Sequence, residues 1–353
     1  MTSLTILDRD IIKACVRGAK LRGPRKLITS TMMVSYQFRQ SRRRAVNDRM
    51  VPASIIISLT KRCNLKCQGC YHLMKDSSAE EMDSEHLLRI CSEFEGLGTS
   101  IFVLAGGEPM MRWPVIKDMM SLHTRALFVM FTNGTLIDEN VLKEMRDFDN
   151  LLLVLSQEGS ESATDLRRGS GVGHCIKSLS RKLRDNGILF GYSITVHRGN
   201  VRIVTSDQNY DQMISEGASF ISFVEYVPMQ AGTESMTLTD DNRTLLISRL
   251  RCLRHRRNAV VLGFPGDEER FNGCLAAGRG FLHISPSGNV EACPAAPFSD
   301  RNLLSCPADE AVMSPLMTKL RDMHASLKEG GGGCALWSNK EEVSRILATN
   351  NDS

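Results

Sequence analysis

The sequence predicts an α/β fold: a partial barrel of six strand–helix units, (β/α)6, followed by a small, cysteine-containing, loop-rich C-terminal domain. Three observations carry this expectation. Short apolar, β-rich runs alternate with helical patterns about six times between residues 54 and 227, which is the pattern of a parallel sheet with helices outside. After about residue 230 the alternation stops, and cysteine, glycine and proline become denser. The 353 residues are enough for one large domain and a smaller one, since domains run ~100–200 residues.

The expected strands are residues 54–60, 100–105, 127–133, 151–156, 188–196 and 220–227. Each is a run of six to nine residues rich in Ile, Leu, Val and Phe, as short apolar β-strands are. Helices are expected at 84–97, 113–123, 138–146, 172–186 and, more weakly patterned, 209–216. Right-handed crossovers in sequence curl such a sheet toward a barrel, and functional groups then gather on the loops at the C-terminal ends of the strands. The chain divides into a basic arm at 1–50, the partial barrel at 51–230 and the C-terminal domain at 231–353. Residues 330–333 are four consecutive glycines, marking a flexible or tightly turning loop.

Hydrophobic residues make up 42% and charged residues 24%, a balance that excludes wholesale disorder. No run approaches the ~18 apolar residues of a membrane span. The N-terminal stretch is charged too early and too often for a secretory signal. Eleven cysteines without an export signal read as metal-binding thiolates rather than a disulfide frame, which places the protein in a reducing cytoplasm. The net charge of +4 is unevenly spread: residues 1–50 hold twelve Lys and Arg against Asp8, Asp10 and Asp48. A basic arm on a mildly acidic body suits an acidic partner surface, such as anionic lipid, nucleic acid or another protein. Ile11, Ile12, Cys15, Val16 and Ala19 fall at helical spacing, so the arm is expected to begin as an amphipathic helix, docked on its own domain or on a partner.

The sharpest signal follows the first strand. Cys63, Cys67 and Cys70 are spaced C-x3-C-x2-C, and three thiolates on one tight loop can hold three irons of a [4Fe–4S] cube. A cube with three protein ligands leaves one iron open, which is the mark of a catalytic metal site. The simpler reading is a zinc knuckle with His72 as fourth ligand. The second signal is Gly106–Gly107–Glu108–Pro109 at the end of the second strand, where the glycines allow close backbone approach.

Together these motifs resemble the radical S-adenosylmethionine (SAM) superfamily, whose fold is a TIM-like partial barrel. In that family the cysteine loop follows the first strand, and the open iron binds the amino and carboxylate groups of SAM. The resemblance, over about residues 52–230, implies Cys63, Cys67 and Cys70 as ligands of the catalytic cluster. It implies that Gly106, Gly107 and Glu108 hold the SAM amino group. Many members place an aromatic residue before the third cysteine; Gly69 stands there instead, so Tyr71 is the candidate adenine contact. Ser156 is the candidate for the SAM carboxylate and ribose, with Glu158 and Arg168 beside it. Arg167 and Arg168 read equally as a solvated helix start. Strand phase adds Ser193 and Thr195 on the cofactor side, and Glu225 and Tyr226 on the substrate side.

Further on, Cys274, Gly288 and Cys293 form C-x13-G-x4-C around an expected hairpin. This resembles the SPASM and shorter twitch auxiliary-cluster modules of radical SAM enzymes. The full SPASM run of four more closely spaced cysteines is absent. The resemblance therefore implies one auxiliary [4Fe–4S] cluster, held by Cys274, Cys293 and Cys334 with Cys306 as a candidate fourth ligand; a zinc site or buried thiols is the plainer reading. Cys15, Cys91, Cys175 and Cys252 lack metal spacing. The implied activity is reductive cleavage of SAM to a 5′-deoxyadenosyl radical, which abstracts hydrogen from a small-molecule or peptide substrate. A low-potential donor such as ferredoxin or flavodoxin would supply the electron. The alternatives are a radical SAM enzyme acting on nucleic acid or lipid, and a non-catalytic zinc-binding protein.

Overall fold

The computed structural model describes residue 40 and residues 51–74, 80–264, 273–324, 326–327 and 334–351. The basic arm, apart from Gln40, and the tetraglycine lie outside the described residues.

Among the described residues, nine strands form one sheet in the order β7-β6-β5-β4-β3-β2-β1-β8-β9. The strands are β1 (Ser54–Ser58), β2 (Ile101–Ala105), β3 (Leu127–Thr132), β4 (Leu151–Gln157), β5 (Phe190–Val196), β6 (Phe220–Glu225), β7 (Val260–Phe264), β8 (Phe281–Ile284) and β9 (Val290–Glu291). Every neighbouring pair is parallel except β8 and β9. Sequential parallel strands with helices between them make the curled half-barrel that the alternation predicts.

Two apolar faces explain the strand composition. Ile55, Ile57, Phe102, Leu104, Phe128, Met130, Leu153 and Leu155 pack toward helical residues such as Leu87, Ile90, Ile116 and Ile176. Ile101, Leu127, Val129, Leu152, Val154, Phe220 and Val260 form a second cluster on the opposite, inner face. Burial on both faces is why the strands read as unbroken apolar runs.

The helices start where their caps stand. Asp83, Asp138, Ser160, Ser206 and Thr239 each accept a backbone N–H from the first turn of the helix that follows, satisfying a donor that the helix itself cannot. Gly98 and Gly217 end the helices Ser84–Leu97 and Asp207–Glu216 in left-handed conformation.

The strand–helix alternation does not stop near residue 230, as the sequence suggests. Helix Asp240–His255 and β7 add a seventh unit beside β6. Helix Glu161–Arg168 also appears where no helix is expected. The hairpin around residues 286–288 forms as β8 and β9, with Gly288 at φ 87°. Its first strand does not stand apart: β8 pairs with β1 and extends the barrel sheet.

Candidate active site at the mouth of the half-barrel

The cysteine loop leaves β1 and is tied down by backbone bonds. Leu59 N donates to Ala105 O, Gly107 N to Thr60 O and Glu108 N to Arg62 O, at 3.0, 2.8 and 2.9 Å. The Gly106–Glu108 turn thus clasps the loop. A side chain has no room there: a Cβ at Gly107 would stand 2.0 Å from the Arg62 carbonyl oxygen, and Gly106 holds φ +123°. Glu81 secures the loop's other side, accepting from the Thr60 hydroxyl at 2.9 Å and from Lys61 N at 2.6 Å. Glu81 carries no motif, and the sequence reading does not find it.

Cys67 is buried, and Cys63 and Cys70 are half-buried. The three thiols sense one another: Cys67 and Cys70 each raise the pKa of Cys63, and Cys70 raises that of Cys67. Burial is the largest cause of both upward shifts. Leu65 N donates to Cys63 Sγ at 3.5 Å, and Arg168 favours the Cys67 thiolate. Among the described residues no group of three His, Cys, Asp or Glu side chains converges as ligands of a single ion would. His72 Nε2, the expected fourth zinc ligand, bonds the Lys61 carbonyl oxygen instead. The donor set fits a cube, in which each thiolate meets its own iron.

Glu108 is buried under the same turn. Its Oε1 accepts from Thr132 Oγ1 at 2.6 Å and Met110 N at 3.0 Å, and its Oε2 from Asn133 N at 2.9 Å. Burial pushes its carboxyl up, with these bonds and Arg168 acting against the shift. Oε1 accepts twice and is filled, whereas Oε2 accepts once and keeps acceptor capacity for a ligand donor.

Ser156 sits near the end of β4, opposite Ser193 of β5, in phase with the inner-face residue Val154. Arg167 and Arg168 are not a helix start; they form the last turn of Glu161–Arg168. Both grip the buried Glu158: Arg167 Nη1 lies 2.6 Å and Arg168 Nη2 2.7 Å from its Oε1. Arg167 also donates to Thr195 Oγ1 at 3.0 Å. Arg168 sits on the cysteine side, since it acts on both Cys67 and Glu108. The Arg167 carbonyl accepts from Gln68 N at 3.0 Å, joining this helix to the cysteine loop.

Tyr71 is held between the two motifs. Its phenol bonds the Gly106 N–H and lies close to Cys70, Cys293 and Glu291; burial above all raises its pKa. Gly69, at φ +66°, is covered by Tyr226, whose hydroxyl oxygen would stand 2.6 Å from a Cβ there. Tyr226 donates to Thr233 Oγ1 at 2.6 Å, and the buried Glu225 pairs with Arg243 at 3.1 Å. Arg243 belongs to the unexpected helix Asp240–His255 and was invisible as a site residue.

Of the C-terminal cysteines, Cys293 follows β9 and is buried, Cys334 is buried just before helix Ala335–Ser338, and Cys274 and Cys306 are half-buried. Cys293 acts electrostatically on Tyr71, the residue after Cys70. Cys306 has Glu310, Arg301 and Asp300 as electrostatic neighbours.

Residues 57–202 match the model of the radical SAM superfamily. Over that stretch the chain is similar to the radical SAM superfamily. Members of that superfamily carry a [4Fe–4S] cluster and SAM as cofactors. Among curated relatives, Fe-coproporphyrin III synthase of Methanosarcina barkeri (strain Fusaro / DSM 804) is 27% identical over 226 residues, 60% of this chain and 54% of that protein. The chain therefore spans about half of that relative's length. PqqA peptide cyclase of Granulibacter bethesdensis is 24% identical over 259 residues, covering 69% of this chain and 68% of the relative. The solved structure of Streptococcus suis SuiB bound to precursor peptide SuiA superposes with a TM-score of 0.63 at 16% identity, over 84% of this chain and 71% of that one. This likeness bears on the fold. Among the described residues no helix is long and apolar enough to cross a membrane.

Proposed function

We propose that this radical SAM enzyme holds its catalytic cluster on Cys63, Cys67 and Cys70, with SAM bound among Tyr71, Gly106, Gly107, Glu108, Ser156 and Arg168. The observation that carries this is the meeting of three mutually sensing thiols with the Gly106–Glu108 turn at the C-terminal mouth of β1 and β2. When bound, the cluster and SAM supply a 5′-deoxyadenosyl radical that takes a hydrogen atom from the substrate. The chain's own residues bind and shield. Glu108 offers a buried carboxylate to an ammonium group, and the Gly106–Gly107 turn lets the cysteine loop pack directly against it, so that loop and carboxylate line one site. Arg168 offers a guanidinium suited to a carboxylate. Tyr226 and the Glu225–Arg243 pair close the substrate side and keep water out.

A second cluster is assigned to Cys274, Cys293 and Cys334, with Cys306 as the candidate fourth ligand. The substrate class we favour is a peptide, over a small biosynthetic intermediate, because of the similarity to PqqA peptide cyclase. A low-potential ferredoxin or flavodoxin in the cytoplasm would reduce the cluster. The test is anaerobic reconstitution with iron, sulfide, SAM and dithionite, followed by assay for 5′-deoxyadenosine. The wild-type chain should release it and Cys67→Ala should release none. Equal release by both, or none by the wild type, would overturn the assignment.

A further inference from the structure

One buried polar chain joins parts of the sequence that lie far apart. Ser58 Oγ is 2.8 Å from His283 Nε2, and His283 Nδ1 is 2.6 Å from Glu291 Oε2. All three residues are buried, and His283 is completely so. The sheet register makes this possible. β8 runs parallel to β1 with His283 opposite Ile56, so His283 and Ser58 share one face; β9 then sets Glu291 opposite His283. The carboxylate calls for a proton on Nδ1, which leaves Nε2 to accept from the Ser58 hydroxyl.

Such a chain is a poor source of net stability, because apolar side chains of similar volume pack as well without desolvating a charge. Its strength is selectivity. A slip of one residue between strands turns every side chain to the other face, and would leave His283 and Glu291 without these partners. What the register places is Cys293, two residues beyond Glu291. The hairpin tip is held as well, since Met82 N donates to the Pro286 carbonyl at 2.8 Å.

We propose that Ser58, His283 and Glu291 are positioning residues: they lock the hairpin that leads to Cys293 in register against the strand that leads to Cys63, and so fix where Cys293 lies relative to the first cysteine loop. The proposal rests on the reading of Cys63, Cys67 and Cys70 as cluster ligands, and holds whether or not a second cluster binds.

The experiment compares full-length wild type with His283→Phe, His283→Gln and Ser58→Ala. Amide hydrogen exchange on the metal-free proteins reads the register lock, and the midpoint potential and paramagnetic resonance spectrum of the reconstituted proteins read the cluster. His283→Phe keeps the ring and removes both bonds. It should speed exchange across 281–292 at least tenfold with β2–β6 unchanged, and shift the potential of the first cluster. His283→Gln, which keeps a polar group, should restore both readouts toward wild type. Unchanged exchange and potential in His283→Phe would overturn the proposal, as would the same rise in exchange across the whole sheet. Ser58→Ala removes one hydroxyl and decides the matter in the same way should His283→Phe not fold. A wild type that binds no cluster overturns the ligand reading alone, because exchange still judges the lock.

Discussion

Glu108 shows how one buried side chain links stability to ligand binding. Three donors surround its carboxylate, yet burial outweighs them and raises its pKa. The native state therefore keeps a proton at a pH where the unfolded chain has released it. By linkage, this group's contribution to stability is present below the ordinary carboxylate pKa and falls as pH rises through the folded one. Denaturant midpoints of the metal-free protein should decline over that window, and Glu108→Gln should flatten the decline. The amide cannot accept from all three donors, so the variant should also lose roughly 1–3 kcal/mol at neutral pH. In the reconstituted enzyme a SAM ammonium favours the ionised carboxylate, so calorimetric affinity for SAM should rise with pH over the same window. Glu108→Gln should bind SAM at least tenfold more weakly, about 1.4 kcal/mol, and lose that pH dependence.

At the scale of elements, the clasp between the β1 loop and the β2 turn governs the site. A Cβ at Gly107 would meet backbone, the Arg62 carbonyl, not a side chain that could swing away. Gly107→Ala should therefore push the cysteine loop off the turn. We expect a stability loss at or beyond the roughly 1–3 kcal/mol of ordinary overpacking, seen in thermal melts, together with reduced iron retention on reconstitution. Gly96→Ala, in helix Ser84–Leu97 where a Cβ meets nothing within 4 Å, is the contrasting control and should melt no lower than wild type, since Ala favours the helix over Gly by about 0.5–1 kcal/mol. The clasp was legible in the sequence because it consists of motif residues next to apolar strands. Helix Glu161–Arg168 was not: only Thr164 in it is buried, so it has no apolar face to read. It is held by its Ser160 cap and by two arginines closing on Glu158. Helix Asp240–His255 buries only Leu246, Leu250 and Leu253 among many charged residues, and β7 is a short run interrupted by Gly263. Sparse patterns of this kind gain their structure from the sheet they complete.

Across the whole molecule, the C-terminal segment returns to the first strand. The sequence announced the hairpin through its turn residues and flanking cysteines. It could not announce the pairing of β8 with β1, because nothing local to residues 281–284 specifies a partner more than two hundred positions away. That pairing sets the hairpin that leads to Cys293 in the same sheet as the strand that leads to Cys63 and so ties the two cysteine groups into one architecture. If Cys293 holds a second cluster while Cys63, Cys67 and Cys70 hold the first, the two functions should separate by mutation. Anaerobic wild type should contain about eight irons and eight sulfides per chain, two cubes, and Cys293→Ala about four of each. The variant should still release 5′-deoxyadenosine from SAM under dithionite, since the first thiol set and the Glu108 turn are untouched. It should form no product once a substrate is supplied, because the second group of thiols has lost the ligand that the hairpin contributes. Full product formation by Cys293→Ala would remove the auxiliary cluster from the mechanism and leave Cys293 as a packing residue.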